Sequence, residues 1–176
     1  MTTKLQVVGG GKMGEALLRG LVADGWATAD QLHVAEPDAP RREDLLAAVP
    51  GLSVGPDPVA GTDTLIAVKP DVVPAVCEAL VVLGVTRVLS IAAGVRLATF
   101  ESILGDGVPV VRAMPNTPSL VGVGAAAIAA GSAAGPDDLD WAAGILSAVG
   151  TVQVVDELLL DAVTGQIGRA SCRERV

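Results

Sequence analysis

The feature that most constrains this chain is a glycine run near its start, Val7-Val8-Gly9-Gly10-Gly11-Lys12-Met13-Gly14-Glu15-Ala16. It follows a short apolar strand, Leu5 to Val8, and opens a segment in which Met13, Ala16, Leu17, Gly20 and Leu21 share one helical face. Each glycine of this G-x-G-x-x-G pattern has a physical reading. Gly9 permits the tight turn, Gly11 has no Cβ to obstruct a pyrophosphate, and Gly14 lets the helix lie close on the sheet. The helix N-terminus then presents unpaired N–H groups and its positive dipole end to phosphate. The pattern predicts a dinucleotide site on a strand–turn–helix unit, with Gly25 placed to end the helix.

The same alternation of short apolar runs and longer amphipathic segments continues along the chain. Strands are expected at Leu32 to Ala35, weakly around Leu52 to Val54, and at Thr64 to Val68, Arg87 to Ala92, Val108 to Ala113, Val123 to Ala130 and Thr151 to Val155. Helices are expected at Arg41 to Val49, Val72 to Leu83, Leu97 to Leu104 and Pro136 to Val149. Pro115 and Pro118 predict a rigid loop after Ala113. The implied fold is α/β: a doubly wound, mostly parallel sheet of Rossmann type with helices on both faces. Residues 1–156 would form the dinucleotide-binding domain. From Gln166 the apolar periodicity is lost and arginine concentrates, so residues 166–176 read as a non-native or unrelated tail, the alternative being a basic end to a helix begun near Glu157.

Composition supports that reading. Half of the chain is apolar, mainly Ala, Val and Leu, while aromatic residues make up only 2%. Packing must therefore come from small and branched aliphatics, which suits a parallel sheet covered by helices. A formal charge of −8 and the scarcity of aromatic platforms argue against nucleic acid as a partner. No signal-like segment opens the sequence and no apolar run is long enough to span a membrane, so the expected location is cytoplasmic. Cys77 and Cys172 are far apart and lack neighbouring ligands at metal spacing; neither a disulfide nor a metal site is expected.

Several polar residues stand where such a fold collects ligands, at the carboxyl ends of its strands. Glu36 follows the second strand about twenty residues beyond the glycines, where a carboxylate accepts hydrogen bonds from the adenosine ribose and repels a 2′-phosphate. That favours NADH. Arg41 and Arg42 lie just beyond and could instead embrace the phosphate, so NADPH stays open. Lys69 ends another strand, within reach of ribose or phosphate, and Ala92, Ala93 and Gly94 would let backbone approach a flat nicotinamide ring. His33, the only histidine, lies on the adenine half, which excludes a histidine-dependent triad. No catalytic residue is singled out. Glu157 and Asp161, four apart, would share a helical face.

Taken together, Val7 to Ala16, Ala67-Val68-Lys69-Pro70-Asp71, Ser90-Ile91-Ala92-Ala93-Gly94-Val95, Val111-Arg112-Ala113-Met114-Pro115-Asn116-Thr117-Pro118 and Leu160-Asp161-Ala162-Val163-Thr164 resemble the pyrroline-5-carboxylate reductases. The segments occur in that family's order, and the Arg-Ala-Met-Pro-Asn-Thr-Pro string is far more specific than the glycine pattern. The resemblance implies reduction of 1-pyrroline-5-carboxylate to L-proline with NADPH or NADH. It places Gly9, Gly11, Lys12, Met13, Gly14, Glu36, Val68, Lys69, Pro70, Ala92, Ala93 and Asn116 in or near the cofactor cleft, and Glu157 near the substrate.

The family continues into a Ser-Gly-Ser-Gly-Pro-Ala motif and a helical dimerisation domain. By this resemblance residues 157–165 would begin that domain, and the present chain would be monomeric or weakly associating where longer members are homo-oligomers. Two other readings share the glycine pattern: a dinucleotide-binding module without catalysis, and an oxidoreductase acting on 3-hydroxy acids. The second is weakened because Lys4, Lys12 and Lys69 are the only lysines, and none follows a later glycine-rich segment as the catalytic lysine of those enzymes does.

Overall fold

A computed structural model describes residues 3–116, 118–119 and 124–160. The expectations for Thr117, for Asp161 to Thr164, for Cys172 and for the tail all fall outside these residues. The described elements are β1 (Leu5–Val8), α1 (Lys12–Ala23), β2 (Leu32–Ala35), α2 (Ala39–Ala48), β3 (Ser53–Gly55), β4 (Thr64–Ile66), α3 (Val73–Val82), β5 (Val88–Ser90), α4 (Leu97–Leu104), β6 (Val110–Pro115), β7 (Gly124–Ala130), α5 (Pro136–Ser147) and β8 (Gly150–Val154). They form one eight-stranded sheet in the order β3-β2-β1-β4-β5-β6-β7-β8. Neighbouring strands are parallel except β6 and β7, which run antiparallel from Val111 opposite Ala130 to Pro115 opposite Ala126.

Alternation along each strand sends side chains to two separate cores. Leu5, Val7, Leu65, Leu89, Val111 and Ile128 meet Leu17, Leu18 and Leu21 of α1, Leu45 of α2 and Ile145 of α5 on one face. Ile66, Val88, Val110 and Ala129 meet Val73, Cys77 and Leu80 of α3 and Leu97, Phe100 and Leu104 of α4 on the other. This is the doubly wound arrangement expected from the sequence. Cys77 lies in that second core, and burial pushes its thiol up to about 11.

Helix ends follow the local sequence. Beyond α1, Gly25 takes φ +75°, its N–H donates to the Val22 carbonyl at 3.2 Å, and the Trp26 N–H reaches the Leu21 carbonyl at 3.0 Å. Gly84 ends α3 in the same way, with Val85 N–H on the Leu80 carbonyl at 3.1 Å. Pro136 occupies the first turn of α5, where its missing N–H costs nothing.

The β3–β4 connection, residues 56–63, contains no helix and depends on a buried side chain of β1. The Gln6 carboxamide accepts from Val59 N–H at 2.9 Å and donates to the Val59 carbonyl at 3.0 Å and to Thr64 Oγ1 at 2.8 Å. Pro115 corrects one expectation, because β6 continues through it. Asn116 N–H donates to the Ala125 carbonyl, so the preceding position faces away from β7, beyond the end of β5, where no N–H is required.

Phe100 is the largest apolar side chain with no exposure, wedged between α4 and the sheet. Phe100→Ala is expected to lower the unfolding free energy by about 3–5 kcal/mol, read as a fall in the urea midpoint at unchanged m.

Candidate functional site

The strand order reverses at β1, with β2 and β3 to one side and β4, β5 and β6 to the other. At such a switch point the loops leaving the adjacent strands part and open a crevice at the carboxyl edge. Here those loops are the glycine turn after β1 and Ala67-Val68-Lys69 after β4. They approach closely: a Cβ on Gly9, whose φ is +102°, would lie 2.7 Å from the Ala67 carbonyl oxygen and 2.9 Å from Val68 Cγ1. Gly14 packs its bare Cα against the Gly9 carbonyl, where a Cβ would collide. Gly11 differs from both. It is the N-cap of α1 with φ −63°, nothing lies within 4 Å of where its Cβ would project, and no side chain caps the helix. The first N–H groups of α1 thus face open space, as an anion site at a helix N-terminus requires.

Two connected chambers flank this waist, sharing Gly11, Ala67, Val68 and Lys69. The larger, about 650 Å³, is walled by Glu36, Pro37, Pro56 and Pro58 and by Val72, Ala75, Val76 and Ala79. The smaller, about 370 Å³, is walled by Lys12 and Met13 of α1, Ile91, Ala92 and Ala93 after β5, and Met114 and Pro115 of β6. The pair forms one long, largely apolar cleft.

The sequence-predicted residues distribute unevenly over it. Gly9, Gly11, Lys12, Met13, Glu36, Val68, Lys69, Ala92 and Ala93 line the two chambers. Gly14 supports the turn from behind. Pro70 begins a short 3-10 helix, residues 70–72, and lines neither chamber, although Val72 at the helix's end walls the larger one. Asn116 lies one residue past Pro115, and its carboxamide oxygen accepts from Ala125 N–H at 2.9 Å, bracing the β6–β7 connection. The row Val72, Ala75, Val76 and Ala79 was missed. Its spacing of three and four alongside the core row Val73, Cys77 and Leu80 makes α3 apolar on two faces, a signal legible in the sequence.

Glu157 also has engaged partners. Its Oε1 accepts from the Leu97 N–H at 2.7 Å and from Arg112 Nη1 at 2.9 Å. It therefore caps the N-terminus of α4 and balances the charge of Arg112, which is only 1% exposed. His33 is held between Ser53 Oγ at 2.9 Å and the Asp57 carbonyl at 3.2 Å. Because a carbonyl only accepts, Nε2 carries the proton and Nδ1 accepts from the serine.

Around the glycine turn the charges are cross-linked. Glu36 accepts the Gly10 N–H at 2.9 Å on one oxygen and the Asp38 N–H at 3.0 Å on the other. Arg41 donates through Nε to the Gly10 carbonyl and through Nη2 to Glu15, both at 2.6 Å, and Arg19 bonds the other Glu15 oxygen at 2.8 Å. The hydrogen bond from Arg41 holds the Glu15 carboxyl below the usual glutamate range, against partial burial, with Arg19 adding to it. A depressed folded-state pKa contributes stability that is complete above the ordinary glutamate value and is lost as pH falls through the lowered one. Wild type minus Glu15→Gln stability, from urea midpoints, is therefore expected to be constant near neutrality and to shrink below about pH 4.5.

Among the described residues no cluster of three or more His, Cys, Asp or Glu side chains could hold a metal ion, and no helix is long and apolar enough to cross a membrane.

The doubly wound sheet with a crevice at its switch point defines the class of dinucleotide-binding oxidoreductase domains. Residues 4–94 match the family described as NADP oxidoreductase coenzyme F420-dependent. A pyrroline-5-carboxylate reductase of Synechocystis is 41% identical over 174 residues, covering 96% of this chain and 64% of its own length. The solved pyrroline-5-carboxylate reductase of Coxiella burnetii superposes with a TM-score of 0.87 at 30% identity, over 98% of this chain and 67% of the other. The Plasmodium falciparum pyrroline carboxylate reductase solved with NADP bound superposes with a TM-score of 0.78 at 22% identity, over 97% and 64%. The chain thus belongs to the NADP oxidoreductase family so described, and within it to the pyrroline-5-carboxylate reductases. It spans slightly less than two thirds of the length of the curated relatives it matches.

Proposed function

We propose that this chain is the cofactor-binding part of an NAD(P)H-dependent reductase that converts 1-pyrroline-5-carboxylate to L-proline. The observation that carries the reading is the two-chambered cleft with the uncapped, Cβ-free Gly11 entrance to α1 at its waist. A phosphate-bearing ligand fits there because the α1 N–H groups are open and Lys69 borders both chambers. The larger chamber, with its proline and α3 walls, suits the adenosine half. The smaller suits the nicotinamide half.

When bound, a reduced nicotinamide supplies hydride to the carbon of a C=N bond. The chain's own contribution is to bind and to position. The glycine turn and Lys69 fix the phosphates. Ala92 and Ala93 present a flat, low wall, and Ile91, Met114 and Pro115 exclude water beside it. A cyclic imine needs little further machinery, since a protonated imine is already electrophilic. Residues 1–156 form the cofactor domain in this reading, and residues from 157 begin the helical domain that in longer relatives holds the substrate carboxylate and pairs subunits. The setting would be cytoplasmic and the ligand a small metabolite.

Gly11→Val tests the site directly. The free protein has room for the side chain, so the melting temperature should stay close to wild type, while NADPH affinity, followed by cofactor fluorescence, should fall at least about tenfold, or 1.4 kcal/mol. Unchanged affinity would refute the cleft. Substrate identity is tested separately, by joining the chain after Thr164 to the remaining C-terminal part of the Synechocystis relative. That chimaera is expected to form proline from 1-pyrroline-5-carboxylate, and the chain alone to do so poorly. A chimaera that binds NADPH but makes no proline would refute the reaction and leave the cofactor assignment standing.

A further inference from the structure

A row of polar side chains crosses one face of the sheet where a core would ordinarily be apolar. Register pairs Thr64 of β4 with Gln6 of β1, Gln6 with His33 of β2, and His33 with Ser53 of β3, so these residues stand side by side on the same face. Gln6 and Thr64 have no exposure and His33 has little. The reason lies in what covers them. The core beneath α3 and α4 takes no described residue from β1, β2 or β3, and the β3–β4 connection that packs on this region contains no helix. A helix satisfies its own peptide groups. A bare strap of chain presents peptide groups that need partners.

The polar row supplies them. The Gln6 carboxamide takes both the N–H and the carbonyl of Val59, as a neighbouring strand would, and spends its second N–H on Thr64 Oγ1. The threonine hydrogen goes on to the Thr62 carbonyl at 3.0 Å. An ionised glutamate at position 6 could only accept, and methionine has no N–H to give. His33, oriented by Ser53, donates to the Asp57 carbonyl. The strap is thereby pinned at Asp57 and Val59, one residue to either side of Pro58. Pro56 and Pro58 wall the larger chamber, and so do Val8 and Ala35, two residues along from Gln6 and His33 on the same sheet face. The row lies directly behind the chamber, and its two pins fix where the proline wall stands relative to the α3 row.

Resting on the reading that the larger chamber takes the adenosine half, we propose that Gln6 and His33 are positioning residues for dinucleotide binding: they touch no ligand, and by pinning residues 56–59 they set the width of the adenosine chamber. A flat base gains contact on both sides only where the walls hold one spacing. A strap released from its pins must be ordered at the moment of binding, and that cost falls on affinity. The device is indifferent to the 2′-substituent and to the nicotinamide, so every ligand with an adenosine half should respond alike.

The test titrates the full chain with NADPH and NADH, read by cofactor fluorescence, and with ADP, read by displacement of bound cofactor. Wild type is compared with Gln6→Met, His33→Leu and His33→Gln at a temperature where circular dichroism finds each folded. Gln6→Met and His33→Leu should weaken all three ligands by one common factor of about tenfold. The emission maximum of bound NADPH should not move, because the nicotinamide chamber is untouched. A carboxamide at position 33 can donate to Asp57 and accept from Ser53, so His33→Gln should return affinity to within about threefold of wild type. Without any substitution, ADP should slow hydrogen exchange at the Asp57 and Val59 amides of the wild type, which decides the matter if both apolar variants fail to fold. Folded Gln6→Met and His33→Leu that bind like wild type would overturn the assignment, as would a loss that spares ADP. So would a His33→Gln as weak as His33→Leu, or exchange that ADP leaves unchanged. A wild type that binds neither NADPH nor NADH would instead overturn the dinucleotide reading itself.

Discussion

The approach of the β1 turn to the end of β4 is the constraint on which the remaining structure depends. Gly9 sits 2.7 Å, measured from an imagined Cβ, from a carbonyl of the neighbouring loop, and Gly14 lies against Gly9 in turn. No other residue type meets both demands, because the first needs positive φ and the second needs bare backbone. With the two loops in contact, the carboxyl edge of the sheet cannot be one broad trough. It becomes two chambers joined at a waist, and that waist is where α1 presents its open N–H groups. Gly11 differs from Gly9 and Gly14, because the fold leaves its Cβ position empty and no protein contact demands a glycine there.

Electrostatics follows from the same geometry. A chain of net charge −8 that takes up a polyanionic ligand must prevent its own carboxylates from repelling it. Glu15 and Glu36 are the two nearest the turn, and neither is left with its charge free. Arg41 and Arg19 pair with the first, and backbone N–H groups with the second. These bonds also fix the Gly10 peptide from both sides, so neutralisation and preorganisation are achieved by the same contacts.

How far the sequence disclosed this depends on the range of the interactions. β1, β2 and α4 were legible to the residue because sharp local signals bound them. The strands expected at Thr64 to Val68 and Arg87 to Ala92 end earlier, at Ile66 and Ser90, since their last residues leave the sheet to wall the cleft. Their composition is the same inside and outside the sheet, so periodicity could not separate them. The antiparallel sense of β7 left no local trace, and Pro115 was misjudged because its tolerance depends on where β5 stops. The glycine turn and the strand-end residues Glu36, Lys69, Ala92 and Ala93 were readable from spacing, whereas the proline and α3 walls of the larger chamber were not recognised. Glu157 was not: what it binds, the start of α4 and the guanidinium of Arg112, is set by contacts 60 and 45 residues distant.

That distance divides the cleft into two halves of different origin. Every wall of the larger chamber is supplied between Val8 and Ala79, inside the 4–94 segment that matches the broad oxidoreductase family. The smaller chamber draws Met114 and Pro115 from beyond that segment. Its Ile91–Ala93 wall leads into α4, whose first N–H is capped by Glu157 from beyond β8. Arg112 is buried beside it, and an unpaired guanidinium there would be costly, so the carboxylate and β6 must be placed together. The larger chamber is therefore built by contacts within one half of the chain. The smaller chamber is completed by residues brought from the far end of the chain, so the Arg-Ala-Met-Pro string and Glu157, unlike the glycine pattern, lie outside the segment that the broad family matches.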